Sequence, residues 1–300
     1  MKQSKSFCYI ALFIFVLIGC EYKPTVTATR GSTHMLVSED ISSIISKEVE
    51  EFERYYPEAK ISYSTIQSRD AVVQLLNDSV KLIAIPRNLN PEEWEVVKKH
   101  KLYIDTFKVA YDGLLLIVNK NNPLNQITTE ELYKILSGNK KSWKNGNKII
   151  IATGSSNSGL NEFLQKGLLQ NSKIGAIIYP CSTSKQVIDL VSKNESLLGI
   201  IGSSWLNNLP EECKIISVGD KNYQRESNST LEYFTPHPAH IYRNYYPLKR
   251  PIYLIGRNLI GGVEDGFITF VSSVNGQKIF TNNNLVPATM PVRLISLTSE

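Results

Sequence analysis

The chain has 300 residues, 42% hydrophobic and 20% charged, enough to bury the cores of one large or two medium lobes. Its 33 Lys and Arg nearly balance 28 Asp and Glu, and no basic block tracks a phosphodiester backbone, which excludes nucleic acid as a partner. The four cysteines show no CxxC or Cys/His spacing, so no metal site is expected, and nothing calls for a cofactor.

Residues 1–19 read as an export signal. Lys2 and Lys5 precede an apolar run over residues 7–18, shorter than the ~20 residues that a membrane span needs. Leu17-Ile18-Gly19-Cys20 resembles the bacterial lipobox, which makes Cys20 the lipidated first residue and residues 20–25 a tether. Loss of residues 1–19 removes Lys2 and Lys5 and no acid, lowering the formal charge from +5 to +3. Cys181 and Cys213 remain, and an oxidising export compartment leaves a disulfide between them open.

Residues 26–29 alternate weakly as a strand and run into a turn over 30–34. Ile41, Ile44, Ile45, Val49 and Phe52 then recur at helical spacing. Residues 60–65 read as a strand, and residues 67–70 lead into a helical face of Val72, Val73, Leu75 and Leu76. A buried-type strand over 80–85 ends at Pro86-Arg87-Asn88, and Pro91 starts a helix through Lys99. This alternation implies a mainly parallel α/β sheet, with ligands beyond the carboxyl ends of its strands.

The run over 107–119 is long, apolar and β-rich, carries Asp112-Gly113 at its centre, and suits a strand passing from one lobe to another. Residues 128–136 form a helix with Thr128 as N-cap and Glu131 at the capping-box position. A polar loop holding Trp143 precedes an apolar strand, a hydroxyl-rich turn over 153–159 and a helix marked by Leu160, Phe163, Leu164 and Leu168. A helix over 187–191 and a buried strand over 197–201 follow. Residues 220–245 lack periodicity and read as a connector, residues 247–257 as a strand, and residues 266–280 as one final helix.

Three segments share one order of strand, Ser/Thr-rich turn and helix: residues 31–34, 64–70 and 154–159. Helix N-termini present unpaired N–H groups and a positive dipole end, so such turns hold an oxyanion, or else are ordinary caps. Ser155, Ser156 and Ser158 add hydroxyl donors, and Gly159 permits close backbone approach.

Ordered blocks over most of the chain resemble the phosphate-type substrate-binding proteins of ABC transporters. They are GSTHML (31–36), EEFERYYPEAKIS (50–62), VAYDGLLLIVNKNNPL (109–124), ITTEELYKILSGNKKSW (127–143), NSGLNEF (157–163), LLGIIG (197–202), YPLKRPIYLI (246–255) and FVSSVNGQKIF (270–280). The resemblance implies an α/β, two-lobed type II periplasmic-binding-protein fold, each lobe a mainly parallel sheet flanked by helices and joined by hinge strands. Lobe I would comprise residues 26–110 and 246–300, and lobe II residues 111–245.

The resemblance also assigns ligand contacts. Thr33, with Ser32 and His34 beside it, matches the first family turn; Ser68 matches the second; Asn157, Ser158 and Gly159 match the third. Gly154 and Leu160 stand where the family has arginine and threonine, and Pro86 where it has a carboxylate. Arg69 or Arg87 would supply the missing cationic fork. The implied function is capture of phosphate or a related oxyanion by a lipid-anchored monomer for an ABC permease. The alternative is a paralogue serving as a sensor or interaction lipoprotein with another small ligand or weak anion binding. His237 and His240 lack the partners a catalytic or metal site needs, so no enzyme is expected.

Overall fold

The computed structural model describes residues 26–156, 158–224 and 231–289; the expected signal peptide, tether, Cys20 and Asn157 lie outside them. Among the described residues no helix is long and apolar enough to cross a membrane.

The first half winds as β1 (Gly31–Ser38), α1 (Ser42–Tyr55), β2 (Ala59–Ile66), α2 (Ser68–Leu76), β3 (Leu82–Ile85) and α3 (Pro91–Lys99). β1 lies between β2 and β3, parallel to both. Met35 and Val37 of β1 point into one core with Ile44, Ile45 and Phe52 of α1, whereas Leu36 points into a second core with Val72 and Leu75 of α2. This period-two split shows a sheet buried on both faces, which is why residues 35–37 are all apolar.

β4 (Ile104–Asn119) then crosses to the second half. Its first part pairs antiparallel with β12 (Lys249–Arg257), and from Leu114 it pairs with β8 (Leu197–Gly202). The second half repeats the winding: β5 (Gln126–Thr128), α4 (Thr129–Leu136), β6 (Ile150–Gly154), α5 (Gly159–Phe163), β7 (Ile177–Cys181), α6 (Ser184–Val191) and β8. β6 lies between β7 and β8, parallel to both. Leu114, Leu116 and Val118 face one core with Leu132 and Trp143, while Leu115 and Ile117 face another with Val187 and Val191. The Thr128 and Glu131 capping box is formed as expected.

The chain continues through β9 (Cys213–Ile215), β10 (Ser217–Gly219), β11 (Tyr233–Phe234) and α7 (Pro238–Tyr242) before β12 returns it to the first half. Residues 220–245 are thus not wholly connector, since Pro238 at the first helical position starts α7. Tyr246 and Leu248 still pack in the second lobe's core. The expected single helix over 266–280 is corrected to two, α8 (Val263–Ser272) and α9 (Val274–Asn282). They break at Ser273, whose backbone is extended (φ −75, ψ 170) and whose Oγ donates to Phe270 O. β13 (Val286–Pro287) closes onto β4. Cys181 and Cys213 are both free thiols.

Candidate functional site

Turns after four parallel strands converge where the halves meet. After β1, Ser38 Oγ donates to Asp40 Oδ1 (2.6 Å) and lies 2.7 Å from Ser68 Oγ, the first residue of α2. After β6, Ser158 caps α5 by accepting from Asn161 N–H at 3.2 Å. Asn161 Nδ2 in turn donates to Gly154 O and Ser155 O, tying the turn to the helix it opens. After β7, Thr183 caps α6 and buries Ser184 at its first turn.

These turns enclose a void of about 10 Å3 lined by Glu39, Asp40, Gln67, Gly154, Ser158 and Ser184 among others. That is room for roughly one water molecule. Such a place, beyond the carboxyl ends of strands and between two lobes, is where open α/β sheets bind ligands. A groove of about 590 Å3 lies outside it, lined by Arg69, Arg87, Asn90, Ser156, Glu162 and Lys166.

The electrostatics are set by three carboxylates. Arg250 of β12 is fully buried and holds Asp40 Oδ2 at 2.5 Å and Asp112 Oδ2 at 2.8 Å. Burial opposes the Arg250 charge, and Asp40 and Asp112 more than offset it, so its pKa is raised. Ser203 N–H and Oγ both donate to the other Asp112 oxygen at 2.8 Å, satisfying the buried ion pair. Arg250 and Asp112 sit on the two strands that join the lobes, so this cluster fixes the floor of the cleft. Glu39 is the third acid. Its carboxylate accepts from Ser184 N–H (3.0 Å) and Ser184 Oγ (3.4 Å) across the cleft. Desolvation raises its pKa, Asp40 adds to the rise, and the Ser184 bonds oppose it.

The expected site residues divide. Ser68, Ser158 and Gly159 are brought together. A Cβ placed on Gly159 would sit 2.7 Å from Ser68 Oγ and 2.4 Å from Pro86 Cγ, so glycine is what lets α5 meet the first lobe. Ser32, Thr33 and His34 are not in a turn; they lie in β1, where Thr33 Oγ1 donates to Glu264 and His34 Nδ1 faces Ser62 Oγ. Six residue steps along the strand lead from Ser32 to Ser38, roughly 20 Å. The turn expected over 30–34 is therefore corrected to Ser38, Glu39 and Asp40. Arg69 lines the outer groove and not the void. Arg87 is already engaged, bidentate on Glu93 at 2.7 and 2.8 Å and paired with Glu162 at 2.5 Å. Burial opposes its charge, and Glu93 and Glu162 raise its pKa overall. Ser38, Glu39, Asp40, Ser184 and Arg250 were missed. For the first three, a Ser-Glu-Asp triplet directly before the helical period at Ile41 was the available signal.

A family model described as the PBP superfamily domain matches residues 23–275. The chain belongs to the PBP superfamily. Among curated relatives, the phosphate-binding protein PstS of Staphylococcus saprophyticus is 25% identical over 224 residues, 72% of this chain and 67% of that protein. Its namesake in Staphylococcus epidermidis is 23% identical over 258 residues, 83% of this chain and 76% of that protein. A Clostridium perfringens structure with bound phosphate, described as a phosphate ABC transporter substrate-binding protein, covers 86% of this chain and all of its own. It superposes with a TM-score of 0.71 at 21% identity. An ABC-type phosphate transport receptor from Vibrio cholerae gives 0.63 at 20% identity, covering 86% and 100%. The PBP-superfamily chain thus has the two-lobed type II fold expected from its ordered blocks.

Proposed function

We propose that this PBP-superfamily chain is an extracytoplasmic solute-binding lipoprotein that captures phosphate or a related oxyanion between its lobes and delivers it to an ABC permease. The carrying observation is one interlobe void lined by Ser158, Ser182 and Ser184 from one lobe and by Glu39, Asp40 and Gln67 from the other, the last three flanking the paired Ser38 and Ser68 hydroxyls. Hydroxyls and helix N–H groups are the donors an oxyanion takes, and curated relatives matched over most of the chain are named for phosphate. Binding is by lobe closure, and no bond is made or broken. The lobes are residues 26–110 with 246–300, and residues 111–245, with Tyr246 and Leu248 lending their side chains to the second lobe's core; Cys20 carries the lipid, and the protein acts as a monomer. Calorimetric titration of the purified protein tests this: heat with phosphate supports it, and no heat with phosphate, arsenate, sulfate or molybdate rejects it.

One observation favours the second reading, a paralogue with weak anion binding that serves as a sensor or interaction lipoprotein. Among the described residues no arginine lines the void; Arg87 is engaged by Glu93 and Glu162, and Arg250 by Asp40 and Asp112. Millimolar phosphate binding would favour it over high-affinity uptake.

A further inference from the structure

Both kinds of group that would draw an oxyanion into the cleft already hold a carboxylate of the chain, and each contact spans the lobes. On one side of the void Glu39, from the turn after β1, puts one oxygen 3.0 Å from Ser184 N and the other 3.4 Å from Ser184 Oγ, at the opening of the eight-residue α6. On the other side Glu162 of α5 pairs at 2.5 Å with Arg87, which follows β3. Between them the backbone of Gly159 lies against Pro86 and Ser68. Neither carboxylate is needed to cap its own helix. Glu39 precedes α1, and Glu162 also reaches Lys166 one turn on.

We infer that Glu39 is an internal competitor for the proposed ligand: its carboxylate occupies the α6 N-terminus, latches the lobes shut, and must be expelled before an oxyanion binds. This rests on the proposed capture of an oxyanion in the same cleft. The chemistry is substitution of like for like, since a carboxylate and a phosphate oxygen accept from the same N–H and hydroxyl donors. Glu162 on Arg87 adds a second interlobe contact at the rim, which strengthens closure without entering the void. The consequence is a threshold. Ligand affinity is scaled down to the fraction of molecules left open, and the chain closes by its own residues as well as around a ligand.

Two measurements on the purified protein and its Glu39→Ala variant test this. In small-angle scattering without added anion, the parent is expected to be compact and Glu39→Ala to show a larger radius of gyration. In calorimetry, inorganic phosphate is expected to bind Glu39→Ala at least about tenfold more tightly. Glu39→Gln, which keeps the shape and loses the charge, is expected to lie between the two and serves if the alanine variant does not fold. Equal radii for parent and both variants, or phosphate affinity unchanged or weakened in them, overturns the latch. A variant that opens while no chain binds any oxyanion leaves the latch standing and rejects phosphate capture instead.

Discussion

Glu48 makes folding stability depend on pH in a way that the structure lets one work out. It lies on the inner face of α1, fully buried, and neither carboxylate oxygen has a hydrogen-bond partner. Burial, with a smaller push from Glu51, raises its pKa from 4.5 to about 9. The folded protein therefore holds Glu48 neutral at pH 7, while in the unfolded chain it ionises near its ordinary value. Between those limits the folded state binds one proton more than the unfolded state, so stability falls as pH rises through the window and is greatest below pH 4.5. At about 1.4 kcal/mol per pH unit, raising the pH from 5 to 8 costs up to roughly 4 kcal/mol through this one group. Glu48→Gln keeps the shape and removes the titration. Urea unfolding of both proteins at pH 5 and pH 8 cancels the other titrating groups, which the two share. The variant is expected to gain up to about 4 kcal/mol on the parent between the two pH values, whatever its offset at pH 5. A difference between parent and variant that does not change with pH, or that moves in the parent's favour as pH rises, would refute the reasoning.

Other substitutions probe the cleft and its frame. Arg250→Met leaves Asp40 and Asp112 buried without their cation and is expected to cost about 3–5 kcal/mol in urea unfolding. Combining it with Asp112→Asn should recover part of that loss, which a purely steric role for Arg250 would not allow. Gly159→Ala places a methyl 2.4 Å from Pro86 Cγ at the contact between lobes. Phosphate affinity should fall by at least about tenfold through blocked closure, with the thermal unfolding midpoint little changed; unaltered affinity would mean the lobes do not close there. Gly266→Ala would drive a Cβ to within 1.7 Å of Ala28 O, so α8 must shift from the segment before β1. A destabilisation of about 1–3 kcal/mol is expected from such overpacking, and a neutral result would contradict the close approach.

Local patterns in the sequence marked the helices and the buried strands well. The Thr128 and Glu131 box, the period of Ile41 to Phe52, and the unbroken apolar run of β4 each rest on neighbours within one turn or one strand, which composition displays. The first of the three turns was misplaced because Gly31, Ser32 and Thr33 are turn-forming residues. Their side chains instead alternate along an edge of β1 before its buried residues at 35–38. What fixes that register is pairing with β2, residue for residue from Gly31 to Ser38, which no local window contains. The Arg250 cluster was invisible for the same reason: its partners lie 138 and 210 residues away. The break at Ser273 was hidden by apolar residues on both sides, Phe270 and Val271 before it and Phe280 after it, which all face one core. Ser158 and Gly159, by contrast, were legible because a cap and a close approach are local demands on residue type.

The most direct measurement is calorimetric titration of the purified protein with inorganic phosphate, followed by sulfate as competitor. Saturable phosphate binding at one site per chain, reduced at least about tenfold by Gly159→Ala and raised by Glu39→Ala, is the expected result. No saturable heat from the parent or from Glu39→Ala, with either anion, would contradict capture of an oxyanion between the lobes.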